Sequence, residues 1–550
     1  METISNNKKP CLIQTSQGFS VLYQEKYLYS KYNPSREILN LINSTAVLPG
    51  TLFLCCSPVL SYGLNELSAK LTDDCFILAC ELEDELYAFE QTQDDFNSIK
   101  NFSFITKDEA LSLPEILQEP SFTLKSRITL PPAGTFKRIV RIDFSAGINF
   151  NQNLYNQIYA FASSSIMTFW KNRITLTKFG RRFSQDLFKN LKILSATCPI
   201  TTWFNKLENP IVIFGAGESL EEGIKKIKPF AERSYILCAD TALRPLLKAG
   251  IQPDGVFIEE AQSVILKAFT GALKNKCHVF AGLSSVPSLS HLKEKERISF
   301  FTTVYAKTKF LYSLLDQSFM PPGNAPFGSV GLTLLYYALK FRKDENVPVF
   351  IYGLDFSYSV GKTHANGTMA HLNRLALHNR LIPIENYTSS FSQGSIKTNG
   401  KNQKPVITTQ VLESYAKLFN NLFNSEKNVF DASSTGLLLK LPHKEPGEKD
   451  FPIAAKKEIK TALYSDKEAK DIQNYLEEEK YALYKIRDLL TGKGEFEKLS
   501  KENALKELKT LLENREYLYL HFADAHRTDY NQSFLNRVRT EIDFFLKIME

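Results

Sequence analysis

The sequence predicts an α/β protein: a Rossmann-like N-terminal domain at 1–150, a helical connector at 151–209, a central doubly wound α/β domain at 210–450 and a C-terminal helical domain at 451–550. Three observations carry this reading. Short apolar runs alternate with helix-length amphipathic stretches in two separate blocks, the pattern of sheets whose strands are covered on both faces. Gly and Pro are scarce between 151 and 207. Beyond Pro452 the composition turns to Lys, Glu, Leu and Tyr, with apolar residues at helical spacing.

In the first block, 51–89 reads strand, helix, strand, helix. The turn after its first strand is Cys56-Ser57-Pro58, where a phosphate-binding loop would need glycines to let its backbone approach the ligand. Glu81 and Glu83 end the second strand, at the place of a ribose-binding acid. Without the glycine loop, the expectation is a Rossmann-like scaffold that holds no cofactor. The segment Thr177-Lys178-Phe179-Gly180 leads into a Leu/Phe helical pattern. Strand-like runs then recur at 211–214, 235–239, 255–258, 278–281 and 349–352. Pro442 to Pro452 breaks the pattern as a linker. In the last block Ile472, Leu476, Leu483, Ile486 and Leu490 outline a helix that starts at a Ser465/Glu468 capping box, and Gly492 and Gly494 stop it. Two further helices pass through Leu505, Leu508 and Leu512, and through Phe534, Val538, Ile542 and Phe545.

The 550 residues carry 67 Lys and Arg against 60 Asp and Glu, a formal charge of +7 with 43% hydrophobic residues. That composition excludes disorder as the main state, and so small a charge without clustering speaks against nucleic acid. The first ten residues are polar and no apolar run reaches membrane length, so a cytoplasmic protein without membrane contact is expected. Eight cysteines include no C-x-x-C, and several lie in apolar runs, as reduced core thiols do. The sequons at Asn366 and Asn386 are assigned to chance.

Ligands of open α/β sheets gather beyond the carboxyl ends of the strands. Four such places carry chemistry. In GAGESL, Gly215 and Gly217 form a strand-to-helix turn with Ser219 as a possible N-cap; backbone N–H groups here can meet an anion, or the glycines can serve geometry alone. Asp240 ends the next strand, as a helix cap or as a partner for a nucleoside hydroxyl or amine. Glu259 and Glu260 leave the strand after it. The longest place joins Ser329, before a helix, to Gly353, Asp355, Tyr358, Lys362 and His364, gathering a carboxylate, a phenol and an imidazole at one sheet edge. His371 and His378 follow at a spacing of seven, but nothing completes a zinc pattern, so no metal site is assigned.

In order, GAGESL, CADTALRPLLKAGIQPD, FGSVGLTLLYYAL and IYGLDFSYSVGKTHANGT resemble the central domain of bacterial motility-associated factors, the proteins that glycosylate flagellin. Tyr29-Ser30-Lys31-Tyr32-Asn33-Pro34-Ser35-Arg36-Glu37 is similar to a segment that precedes the N-terminal domain of that family. The resemblance runs over roughly 20–440. The same central domain is similar to bacterial sialyltransferases and to a hydroxymethylpterin pyrophosphokinase. What the resemblance implies is a sialyltransferase-like domain that moves a nonulosonic acid, pseudaminic or legionaminic in kind, from its CMP conjugate to Ser or Thr of flagellin.

By position within the family pattern, Gly215, Gly217 and Ser219 match the glycine turn, with Ala216 and Glu218 where the family has Asn and Pro. Glu218 brings negative charge towards the implied phosphate, which a Lys, an Arg or a divalent cation would have to offset. Asp240, Glu259, Ser329, Gly353 and Asp355 match further nucleotide-side positions. The expected base is His364, with His371 and Asp355 as rivals, and Tyr358 or the 215–219 amides as phosphate donors. The competing readings are a pterin pyrophosphokinase and a non-catalytic flagellin-binding protein. No Walker A sequence is present.

Overall fold

The computed structural model describes residues 9–91, 99–111, 113, 130–131, 133–269, 276–287, 294–383, 394–492, 500–525 and 529–550. Residues 1–8, Asn386 and Gly494, which entered the sequence reading, lie outside these. The chain forms two compact units, Met1–Lys178 and Phe179–Glu550. Their division falls inside a single helix, Gln152–Leu194, which takes up most of the expected connector.

The first unit opens with an antiparallel meander that the sequence reading did not anticipate: β1 (Cys11–Thr15), β2 (Gly18–Tyr23) and β3 (Lys26–Tyr27). A parallel sheet follows, made of β4 (Thr51–Cys56), β5 (Phe76–Cys80), β6 (Phe102–Ile105) and β7 (Arg138–Asp143) in the order β6-β5-β4-β7. All residues of β4 and β5 are buried. The reason is that both faces are covered: Leu52, Leu54 and Leu78 pack with Tyr155 and Ile158, while Phe53, Cys55 and Ile77 pack with Ile38 and Leu64. Strand order reverses between β4 and β7. There Ser57, at φ 51°, takes the place of a glycine. Its hydroxyl donates to Glu81 Oε2 (2.7 Å), and Glu81 Oε1 accepts from the backbone of Leu82 (2.9 Å) and Glu83 (3.1 Å). Burial pushes the Glu81 carboxyl up to about 7. The acid at the ribose position is thus bonded into its own loops.

The second unit is built on eight parallel strands: β8 (Ile211–Phe214), β9 (Tyr235–Ala239), β10 (Gly255–Ile258), β11 (His278–Gly282), β12 (Ile298–Thr303), β13 (Gly323–Asn324), β14 (Val349–Tyr352) and β17 (Val429–Asp431), in the order β13-β12-β11-β10-β9-β8-β14-β17. The five expected strands are present; β12, β13 and β17 are additions. Trp203, Phe257, Phe280, Tyr337 and Phe341 belong to one buried cluster against the sheet. From β8 the chain steps outwards to β13, then returns to place β14 on the other side of β8. The switch of direction therefore lies between β8 and β14, where the carboxyl ends of two neighbouring strands diverge into separate loops.

A short antiparallel pair, β15 (Ser395–Asn399) and β16 (Pro405–Thr409), joins Tyr358 through a bridge to Ile407. The last part holds helices Asp466–Thr491, Lys501–Glu513 and Gln532–Met549. The first begins in the expected capping box: Ser465 Oγ accepts from Glu468 N (3.3 Å) and Glu468 Oε2 accepts from Ser465 N (2.8 Å). It ends at Gly492, φ 62°. Its buried Glu479 accepts from Arg515 (2.8 Å) and from the Tyr517 hydroxyl (2.7 Å). No described helix is long and apolar enough to cross a membrane. All eight cysteines are free thiols, and seven are buried, Cys11 being partly exposed.

Candidate functional site at the strand switch

Gly215 and Gly217 are glycines because the loop after β14 comes too close for a side chain. A Cβ on Gly215 would meet the carbonyl of Gly353, and one on Gly217 would lie 2.6 Å from Asp355 Oδ2. Gly353 itself has φ +73°, and a Cβ there would meet Gly215 O. The two turns are laced together: Gly215 N donates to Tyr352 O (2.8 Å) and Gly217 N to Gly353 O (2.8 Å). Ser219 N donates to Asp355 Oδ2 (2.8 Å). Three amides of the turn are therefore spent on the neighbouring strand end, a correction to their reading as phosphate donors.

Ser219 stands at the cap position of helix Leu220–Ile227 without capping it through its side chain. Its hydroxyl instead donates to Asp355 Oδ1 (2.5 Å) and accepts from Gly353 N (2.7 Å). Asp355 is 2% exposed, and burial pushes its carboxyl up to about 6 despite the Ser219 bonds. Both of its oxygens are engaged, so it orients the switch rather than facing a reactant. Gly436, at φ +101°, completes the packing, since a Cβ there would lie 2.8 Å from Asp355 Cα.

Over this floor runs the segment 358–374. Ser359 Oγ donates to Glu218 Oε2 (2.7 Å), and Lys362 Nζ pairs with Glu221 (2.8 Å) and Glu218 (3.4 Å). Ala365 N donates to Ala216 O (3.0 Å) and Asn366 N to Glu221 Oε1 (2.8 Å). Lys362 thus supplies the positive charge that Glu218 requires. His364 Nδ1 lies 3.0 Å from Thr363 Oγ1. Burial first, and the Arg374 cation second, hold its pKa below the ordinary imidazole value. Tyr358 is buried, and burial raises its phenol against the lowering effect of Arg374. His371 also has a depressed pKa, from burial and then Lys362, and its Nδ1 has no hydrogen-bond partner among the described residues. His378 is the residue after helix Met369–Leu377 and is exposed, so it shares no helix face with His371.

A second carboxylate group lies beyond β9 and β10. Ala239, not Asp240, is the cap of helix Asp240–Lys248; Asp240 is its first residue and accepts from its neighbour Thr241, from N (2.5 Å) and Oγ1 (2.8 Å). Burial, with Glu260 and Glu259 adding negative charge, pushes Asp240 up to about 6. Glu259 accepts from Thr303 (2.5 Å) and Thr333 (2.8 Å), and burial raises it too. Ser329 is the partly exposed cap residue of helix Val330–Phe341, also without a side-chain cap bond. The contacts bring Gly215, Gly217, Glu218, Ser219, Gly353 and Asp355 together with Tyr358 and His364 nearby on the same segment. Asp240 and Glu259 form the neighbouring acidic group. Sequence reasoning passed over Glu221, Ser359 and Arg374. Of these only Arg374, four residues before His378, carried a signal, being the one cation among the histidines.

A protein of Treponema pallidum (strain Nichols), described as uncharacterized, is 30% identical over 564 residues, spanning 98% of this chain and 95% of its own. The chain belongs to the family of that protein. The model of the family described as 6-hydroxymethylpterin diphosphokinase MptE-like matches residues 181–361, from the helix before β8 to the segment over the switch. The structure of the Maf glycosyltransferase from Magnetospirillum magneticum AMB-1 superimposes with a TM-score of 0.59 at 12% identity, covering 99% of this chain and 92% of the other. The fold is that of a Maf glycosyltransferase. The resemblance to motility-associated factors that rested on ordered motifs extends, as a fold, over the helical C-terminal part that the motifs did not reach. Within the Maf fold the glycine turn and the Asp355 loop are the two sides of the strand switch.

Proposed function

We propose that the protein is a glycosyltransferase that moves a nonulosonic acid, of the pseudaminic or legionaminic kind, from its CMP conjugate to Ser or Thr hydroxyls of flagellin, in the cytoplasm. The observation that carries this is the placing of a His–Arg–Lys segment, 362–374, over the strand switch of a Maf fold. The donor already carries a good leaving group. What remains is to take a proton from the acceptor hydroxyl and to stabilise the phosphate as charge builds on it.

His364 is the base. Its depressed pKa keeps the imidazole neutral near pH 7, ready to take the hydroxyl proton. The hydroxyl oxygen bonds to the anomeric carbon as the bond from that carbon to the phosphate oxygen breaks, with inversion, and CMP leaves with the electron pair. Arg374 offsets the charge of the departing phosphate and Tyr358 donates to it, while Lys362 offsets the negative charge of Glu218 beside it. Asp355 and Ser219 hold the two turns in register; Asp240 serves a nucleotide hydroxyl or amine, and Glu259, held by Thr303 and Thr333, adds negative charge beside it.

The test is the intact mass of flagellin from wild-type cells, a deletion, and the deletion complemented with His364→Gln or Asp240→Ala. A sugar-sized mass absent from the deletion and not restored by the variants supports the reading; unchanged flagellin in all strains overturns it. The match of 181–361 to the MptE-like model favours, as a second reading, transfer of pyrophosphate from ATP to a hydroxymethylpterin. AMP released by the purified chain from ATP only in the presence of that pterin decides for it.

A further inference from the structure

We propose that segment 360–382 is the docking surface for the acceptor polypeptide, and that the polypeptide presents apolar and acidic side chains beside the hydroxyl to be modified. The proposal rests on the glycosyltransferase reading above. Helix Met369–Leu377 buries none of its residues, although Met369, Leu372, Leu375 and Leu377 make it largely apolar. A nine-residue helix has little stability of its own and is ordinarily held by burying an apolar face. This one is tied down at its start, where Thr368 Oγ1 accepts from His371 N (3.2 Å) and donates to Ala365 O (2.8 Å). Arg374 adds a bond to Gly361 O (3.2 Å). Leu375 and Leu377 remain open, Leu377 at 66% exposure, and the turn that follows leaves Leu381 at 86%.

The charge of the segment names the partner. Between Asp355 and Glu385 the sequence contains no acid; Lys362 is taken up by Glu218 and Glu221, and Arg374 and Arg380 carry the positive charge of the segment. A basic, apolar surface is complementary to an acidic, apolar one. Its position favours the acceptor, because the same segment carries His364 and lies on the glycine turn through Ala365 and Asn366. A polypeptide lying along the leucines is thus brought to the proposed base. A membrane is the weaker occupant: two arginines fall short of the four to eight cations typical of lipid-binding clusters, and no aromatic residue follows Tyr358 before Tyr387 to anchor in an interface.

The test uses the full chain as wild type, as Leu377→Ser/Leu381→Ser and as Arg380→Glu, with thermal melts to confirm folding. The probes are unglycosylated flagellin, phosphatidylglycerol vesicles, and the slow release of CMP from the CMP-sugar in water without acceptor. Both variants are expected to weaken flagellin binding about tenfold or more and to leave CMP release unchanged. Flagellin binding equal to wild type in both variants overturns the proposal, as does a wild type that binds no flagellin. Loss of vesicle binding in the variants with flagellin binding intact overturns it in favour of a membrane surface. Absent CMP release from a wild type whose flagellin binding still falls in the variants refutes the transferase reading and supports the docking surface.

Discussion

Asp355 is a carboxylate that water hardly reaches, kept in place by one serine and one amide. Asp355→Asn retains an acceptor for Ser219 N but sets an NH2 group against one of the serine contacts. It should lower CMP-sugar turnover at least tenfold with little change in KM, because it acts on the register of the two turns and not on the substrate; steady-state kinetics on the purified chain check this. Asp240 is simpler. Its folded pKa of about 6 stands above the ordinary 3.8, so the folded state holds a proton that the unfolded state gives up between those values. Stability is therefore lost as pH rises through that window, by up to about 3 kcal/mol. Asp240→Asn should raise the melting temperature at pH 7.5 and leave it nearly unchanged at pH 4, as calorimetry would show. Gly353 was legible only as the first residue after a buried strand and by its place in the family pattern. Its partner Gly215, 138 positions earlier, was legible as a turn glycine, for an anion or for geometry alone, but not as the contact of Gly353, since a contact between two loops leaves no local mark. Gly353→Ala, facing both φ +73° and the Gly215 carbonyl, should cost roughly 2–4 kcal/mol in urea denaturation.

At the scale of elements, the buried strands were readable because a strand covered on both faces must be apolar throughout. β13, two residues long, and β17, three, fall below any periodicity. The capping box at Ser465 was equally readable, since its chemistry is contained in four residues. Ser465→Ala should cost about 1 kcal/mol and leave activity unchanged, as urea denaturation and turnover would show. The segment over the switch is different in kind. It is held by contacts to the start of helix Leu220–Ile227, chief among them Lys362 between Glu218 and Glu221. Lys362 is largely screened from solvent, and its loss should be worth about 1 kcal/mol locally. Lys362→Met is expected to speed hydrogen exchange at the amides of Ala365 and Asn366 about fivefold without altering exchange in β8 or β14.

For the whole molecule, the acids that burial raises furthest among the described residues are Asp240 and Asp355, at about 6, and Asp186 and Glu81, at about 7. Each destabilises the fold as pH rises past its ordinary value. Against them, Glu221, Glu222 and Asp450 are held below theirs by hydrogen bonds and lysines, and contribute stability that is lost as pH falls through their folded values. From the ordinary carboxylate range up to about pH 7 the raised acids only lose stability, so the urea midpoint should be lower at pH 8 than at pH 6. The two α/β blocks, the helical tail and the likeness to motility-associated factors were determined by the sequence alone, because burial on two faces, capping and ordered motifs are written in neighbouring residues. Which side of β8 receives β14 was decided only in the tertiary structure. So were the use of three turn amides on a strand end rather than on a ligand, the neutralising of Glu218 by Lys362, and the open leucines of helix Met369–Leu377. Each of these depends on distances between residues far apart in the chain, and such distances exist only once the sheet has assembled.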